Sequence, residues 1–290
     1  MQDTADRHYE SIWQHLSKVA FRHGWIDAGG IRTRYVQAGD ENAPALIMLH
    51  GTGGTWEAYM ANLGEHAKHF NCFAIDFMGS GYSDKPLFDY QIADYVEQVK
   101  AFMAAMGVKK TSLIGISLGA WVATRFASTY PELTEKVTLN APFGLAEDQE
   151  EISAIVARRT KAYETPSWEN IARIFENLIL RPEKRIDDLI ALRRATFAQP
   201  EARAASSHVL AIMGPHLRAN LITPEECARI RNPVMVVVSL KDKPLFLNSA
   251  RRLLQLLPNA RGVEIDNVAH WPQFEDPETF NRENIRFLKS

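Results

Sequence analysis

Gly115-Ile116-Ser117-Leu118-Gly119 fits the pattern G-x-S-x-G. A serine hydroxyl is a poor nucleophile at neutral pH, so chemistry at Ser117 needs a base, and the base needs an acid to orient it. With glycine at about 7% of residues, roughly one chain in ten of this length holds the pattern by chance, so its surroundings decide. A short apolar run, 112–116, leads in, and a helix-like segment, 118–130, leads out. Such a strand-to-helix turn holds a serine at the end of a sheet, and its glycines let strand and helix approach closely. A serine in an ordinary loop between strand and helix is the plainer alternative.

His270 is the only histidine after the last long buried-strand run, in Val268-Ala269-His270-Trp271. His50 precedes the serine, and His208 and His216 fall in a segment without strands. Asp242, in Ser239-Leu240-Lys241-Asp242-Lys243, is the only carboxylate directly after the run 234–238. It is the candidate orienting acid, and the rival is a surface aspartate paired with Lys241 or Lys243. Asp266 lies too close to His270 in the chain to approach it from the neighbouring strand end. An oxyanion formed at Ser117 needs preorganised N–H donors. Leu118, the residue after the serine, offers one. His50-Gly51-Thr52-Gly53-Gly54 offers the second, assigned to Thr52, with Gly51 and Gly53 letting the backbone approach a substrate. A glycine-rich turn without a ligand is the alternative. This loop lacks the G-x-x-x-x-G-K-[ST] and G-x-G-x-x-G patterns, which argues against nucleotide binding.

The elements that must position these residues follow from hydrophobic patterning. Apolar runs at 45–49, 73–77, 112–116, 137–139 and 234–238 are short and do not alternate, as in strands buried on both faces. Helix-like segments at 57–68, 92–106, 118–130 and 249–257 separate them. Residues 31–37 alternate after Gly29-Gly30 and predict an antiparallel strand. The chain therefore predicts an α/β fold with a mostly parallel, doubly wound sheet. The strand rhythm stops after Pro142 and resumes at Pro233-Val234. Residues 143–226 are expected to form a helical cap inserted between two strands, over a core of 1–142 and 227–290. A separate domain is the rival interpretation.

The 290 residues suffice for one large domain with a substantial core. A net charge of −2 gives no electrostatic reason to expect nucleic acid or an anionic membrane as partner. The two cysteines, Cys72 and Cys227, form no metal-ligand or disulfide pattern. No apolar run approaches the ~18 residues of a membrane span, and the acidic start MQDTADRHYE is unlike a signal peptide. The expectation is a cytoplasmic protein with a small-molecule partner, no nucleic acid or membrane partner, no cofactor and no metal, and with room for a homo-oligomer, dimer or higher.

The His50–Gly54 loop, the run Asp76-Phe77-Met78-Gly79-Ser80-Gly81-Tyr82-Ser83-Asp84-Lys85-Pro86 and the turn at Ser117 together resemble the α/β-hydrolases. The tail His270-Trp271-Pro272-Gln273-Phe274-Glu275, followed by Phe280-Asn281, is similar to the meta-cleavage-product hydrolases. Those enzymes cleave a carbon–carbon bond in 2-hydroxy-6-oxo-hexa-2,4-dienoates. The resemblance implies the α/β-hydrolase fold with its cap, the triad Ser117, Asp242 and His270, and substrate contact by Trp271. Leu192-Arg193-Arg194-Ala195-Thr196-Phe197 resembles the segment whose arginine binds the substrate carboxylate. Arg193 fits that position best, Arg194 is the neighbour it competes with, and a solvated helix face is the plainer reading. The chain departs from the family at Ile116, Ala58 and Ala120. The first two replace asparagines, leaving fewer polar groups for the dienoate, and the third replaces a frequent glycine. Haloalkane dehalogenases and epoxide hydrolases carry aspartate where this chain has Ser117. A C–C hydrolase is the leading expectation. A carboxylesterase with the same triad and a non-catalytic receptor on the same fold are the alternatives.

Overall fold

The computed structural model describes residues 11–145 and 148–290. The reading of the first ten residues therefore lies outside the described residues, as do Ala146 and Glu147. Eight strands appear in chain order: β1 (Phe21–Asp27), β2 (Arg32–Ala38), β3 (Ala45–Leu49), β4 (Asn71–Ile75), β5 (Thr111–Ile116), β6 (Thr134–Asn140), β7 (Val234–Ser239) and β8 (Ala260–Ile265). They form one sheet in the order β1-β2-β4-β3-β5-β6-β7-β8. The β1–β2 and β2–β4 pairs are antiparallel and every later pair is parallel. Every residue of β4, β5 and β7 is buried, which accounts for their unbroken apolar runs.

Sequence patterning places the central strands well and the edges poorly. The run 73–77 is displaced from β4 because the chain leaves the sheet at its end: Asp76 N still donates to Arg34 O of β2 at 2.9 Å, but Phe77 N donates to the His50 side chain, Nε2, at 2.9 Å. Strand β1 was not anticipated, since it lies at the edge with polar, largely exposed residues such as Arg22 and His23. At the other edge, β8 carries exposed Arg261 and Gly262, so only its last residues read as apolar. The segment 57–68 divides into a 3₁₀ turn, Trp56–Tyr59, and a helix, Met60–Ala67. The helix expected at 249–257 begins earlier, at Pro244, because proline fits the first helical turn, where its missing N–H has no partner to lose.

Between β6 and β7, which are neighbours in the sheet, the described residues contain helices and no strand. The principal helices are Gln149–Glu164, Trp168–Glu176 and Asp187–Phe197. Prolines open two of the shorter ones, Pro200–Ala204 and Pro224–Arg229. The 226/227 boundary falls inside Pro224–Arg229, which a reciprocal Thr223–Glu226 cap starts and an Arg125–Glu226 ion pair of 2.8 Å ties to the helix after β5. Among the described residues no helix is long and apolar enough to cross a membrane.

Candidate active site

Ser117 stands between β5 and the helix Leu118–Thr129 at φ 55° and ψ −114°. A non-glycine residue held there stores strain on the order of 1–3 kcal/mol, so the surroundings must enforce it. The glycines do this by permitting contact. A Cβ on Gly119 would lie 2.0 Å from Leu49 O, and one on Gly115 would lie 2.2 Å from Gly119 O. Strand, turn and helix therefore touch backbone to backbone. Ser117 N donates to Asn140 O at 3.0 Å, which ties the turn to the neighbouring strand.

The loop after β7 carries Asp242, and the loop after β8 carries His270. Their side chains are 3% and 4% exposed, and His270 Nδ1 lies 3.2 Å from Asp242 Oδ2. The other carboxylate oxygen of Asp242 accepts from Lys243 N at 2.8 Å. Neither neighbouring lysine takes the carboxylate. Lys243 Nζ pairs with Glu151 and donates to Asn177 Oδ1, while Lys241 pairs with Asp266. With Nδ1–H directed at Asp242, the proton-accepting nitrogen of His270 is Nε2. The Phe246 ring stands against the imidazole at 4.1 Å between centroids and packs it on one side.

Two adjoining cavities meet here, and Thr52, Ser117, Arg159, Leu178 and His270 line both. Leu118 is the first residue of its helix, so its N–H has no intrahelical acceptor. Among the described residues no hydrogen bond from Thr52 N–H is found. Both candidate oxyanion donors are thus unengaged. Gly51 lines the smaller cavity, but Gly53 lines neither. A Cβ on Gly53 would meet the Phe197 ring at 2.9 Å, so this glycine makes room for the Asp187–Phe197 helix.

His50 is fully buried and neutral, its pKa pushed down to about 3 by burial. Its Nδ1–H donates to Gly51 O at 2.7 Å, and its Nε2 accepts from Phe77 N. With both nitrogens engaged it braces the oxyanion loop and has no lone pair left to serve as a base. Asp76 anchors the same region. It accepts from Trp56 N at 2.8 Å and Tyr82 N at 3.0 Å, and pairs with Arg34, which also holds Glu57. A Cβ on Gly81 would strike Asp76 Oδ2 at 2.1 Å, which explains the glycine in the run 76–86.

Arg193 is buried and faces the smaller cavity with Ser117, His270 and Trp271. Its guanidinium lies over Phe175 and Phe197 at 5.3 and 5.6 Å, and among the described residues its Nη1 has no hydrogen-bond partner. Arg194 turns outward, and its Nε donates to Pro166 O at 3.1 Å. Trp271 stands edge-on to Phe175 and completes that wall. Arg159 was missed among the many charged residues of this segment. Glu151, Ile155 and Arg159 recur at i, i+4 spacing and place one helix face on the larger cavity. Burial pushes the guanidiniums of Arg159 and Arg193 down to about 10, so both stay charged at neutral pH.

Glu275, at the end of the run His270–Glu275, has a structural part. It is buried and accepts from Ala269 N and Leu180 N, each at 2.8 Å, and from Arg181 N at 3.3 Å. His270 N donates to Leu178 O at 3.1 Å in the same junction. The histidine loop is thereby stitched to the segment joining two of the inserted helices. Glu275→Gln would turn an NH₂ group toward backbone donors. It is expected to cost about 1–3 kcal/mol, read as a Tm lowered by several degrees, and to lower kcat as His270 loses its seat. An unchanged Tm would show that these bonds contribute nothing.

A protein-family model described as the alpha/beta hydrolase fold matches residues 44–277. The chain is 26% identical over 281 residues to the 2-hydroxy-6-oxo-6-(2'-aminophenyl)hexa-2,4-dienoic acid hydrolase of Metapseudomonas resinovorans, covering 94% of this chain and 92% of that one. It is 28% identical over 255 residues to the 2-hydroxy-6-oxononadienedioate/2-hydroxy-6-oxononatrienedioate hydrolase of Comamonas testosteroni, covering 84% and 87%. The solved 2-hydroxy-6-oxo-6-phenylhexa-2,4-dienoate hydrolase from Rhodococcus sp. strain RHA1 shares the fold at a TM-score of 0.85 and 22% identity, over 94% of this chain and all of that one. With most of its length matched by one family and a strained serine beside a histidine–aspartate pair, the chain belongs to the alpha/beta hydrolase fold family.

Proposed function

We propose that this protein is a serine hydrolase that cleaves the carbon–carbon bond of a 2-hydroxy-6-oxo-hexa-2,4-dienoate-type compound, with residues 143–226 forming the cap over its site. The observation that carries this reading is Arg193. A buried guanidinium that has no carboxylate partner among the described residues, in one cavity with Ser117 and His270, is a seat for a substrate carboxylate. A simple ester gives it nothing to hold. The relatives' names share the dienoate portion and differ in the acyl group.

In this reading the dienol first becomes a ketone, so that the departing carbon fragment can carry charge as an enolate. Arg193 holds the carboxylate end and favours that shift. Ser117 Oγ attacks the remote carbonyl as His270 Nε2 takes its proton, and the oxyanion forms toward the N–H groups of Thr52 and Leu118. The carbon–carbon bond then breaks, and the carbanionic fragment takes the proton from His270. Water, deprotonated by His270, releases the acyl group as a carboxylic acid and restores Ser117.

Arg193→Gln is expected to lower kcat/KM on a 2-hydroxy-6-oxo-dienoate tenfold or more, on the order of 1.5–3 kcal/mol for a hydrogen bond to a charged group. The loss on a neutral aryl ester should be small. The dienoate is yellow and the colour disappears on cleavage, so one absorbance trace reads the rate. Equal losses on both substrates would give Arg193 a purely structural part. No dienoate cleavage by the wild-type protein, with ester turnover intact, would make it a carboxylesterase.

A further inference from the structure

Arg159 presents a charge that the reaction above does not use. It is buried, and among the described residues its Nε has no hydrogen-bond partner and no carboxylate pairs with it. It stands near enough to Arg193 that each charge bears on the site. One substrate carboxylate compensates one of the two guanidiniums, and a second buried cation left without a counter-charge is costly. The two arginines also differ in place. Arg193 lines only the smaller cavity, whereas Arg159 lines both, as Ser117 and His270 do.

The larger cavity takes whatever the smaller one does not hold, which is the acyl end of the substrate. Its walls are apolar at Phe143, Ile155, Ile174, Met213 and Phe246. Its polar rim is basic, since Arg158 and Lys243 share the single carboxylate of Glu151. This arrangement suits a short hydrocarbon linker that ends in an anion, and suits an uncharged aromatic ring less well.

We propose that Arg159 is the seat of a second anionic group, so that the preferred substrate is a dianion carrying one carboxylate on the dienoate end and another on the acyl side. This rests on the dienoate reading, but it makes a claim about binding that is tested without turnover.

Binding is measured by titration calorimetry on the wild-type protein with nonanedioate and with nonanoate, two unreactive chains of equal length. The dianion is expected to bind at least tenfold more tightly, and Arg159→Met to remove the difference. Arg159→Met loses a buried, unpaired charge, so its Tm should equal or exceed that of the wild type, and Arg159→Lys should retain part of the preference. Turnover is measured with two dienoates that share the head, one ending in phenyl and one in a carboxyethyl group. Arg159→Met should lose tenfold or more in kcat/KM on the second and under threefold on the first. Equal binding of the two acids by the wild type would overturn the proposal, as would equal losses on the two dienoates. A tenfold preference for nonanedioate with neither dienoate cleaved would leave the second anion site standing and bring down the C–C reading alone.

Discussion

Ser117→Ala is expected to lower kcat about 10³-fold or more while the protein still binds the dienoate. Among the side chains lining the two cavities, Ser117 is the one with a hydroxyl on a strained strand-to-helix turn and an orientable base beside it. The loss should fall on kcat, because Arg193 and the cavity walls that hold the substrate are untouched. Little stability should change with it. The hydroxyl makes no hydrogen bond among the described residues, and the tight contacts of the turn belong to Gly115 and Gly119, which remain. A Tm within about two degrees of wild type is the control. Rapid quenching and mass spectrometry should find an acylated serine in the wild type and none in the variant. Wild-type turnover by a well-folded Ser117→Ala protein would remove the serine from the mechanism.

The residues that could be read from the sequence are those whose job imposes a local pattern. Gly115 and Gly119 flank Ser117 because backbone must touch backbone, and that demand leaves a five-residue signature. The central strands are buried on both faces, so their composition alone marks them. Asp242 could be singled out because it directly follows the buried run 234–238, and His270 because no other histidine comes after that run. The strand edges could not, because an edge strand such as β1 is solvated and its residues are polar. Arg159 was hidden for a related reason. A buried guanidinium and a surface one have the same letter, and the surrounding segment is full of arginines; only the packing of the helix Gln149–Glu164 separates them. Gly53 carries a second demand that its place in a glycine-rich loop does not show: a side chain there would run into Phe197.

Asp242→Asn tests the weakest-looking member of the three, and its effect follows from hydrogen-bond direction. Asp242 uses one oxygen to accept from Lys243 N and the other to face His270 Nδ1. An asparagine in the same place has one acceptor and one donor. Lys243 N–H is a fixed backbone donor and claims the acceptor, which turns the NH₂ group toward His270. The imidazole then keeps its lone pair on Nδ1 and its proton on Nε2. In that tautomer Nε2 cannot accept the proton of Ser117, so the geometry survives and the base does not. A loss of about 10⁴-fold in kcat is expected, the size seen when a comparable histidine is held in the wrong tautomer. Binding should change little, since the carboxylate does not line either cavity. The loss should be the same on a dienoate and on an aryl ester, because both need the same proton transfer. That equality sets it apart from the substrate-dependent losses expected at Arg193 and Arg159. Steady-state rates on the two substrates, with Tm as the folding control, decide it. Activity within tenfold of wild type would mean that another group orients His270.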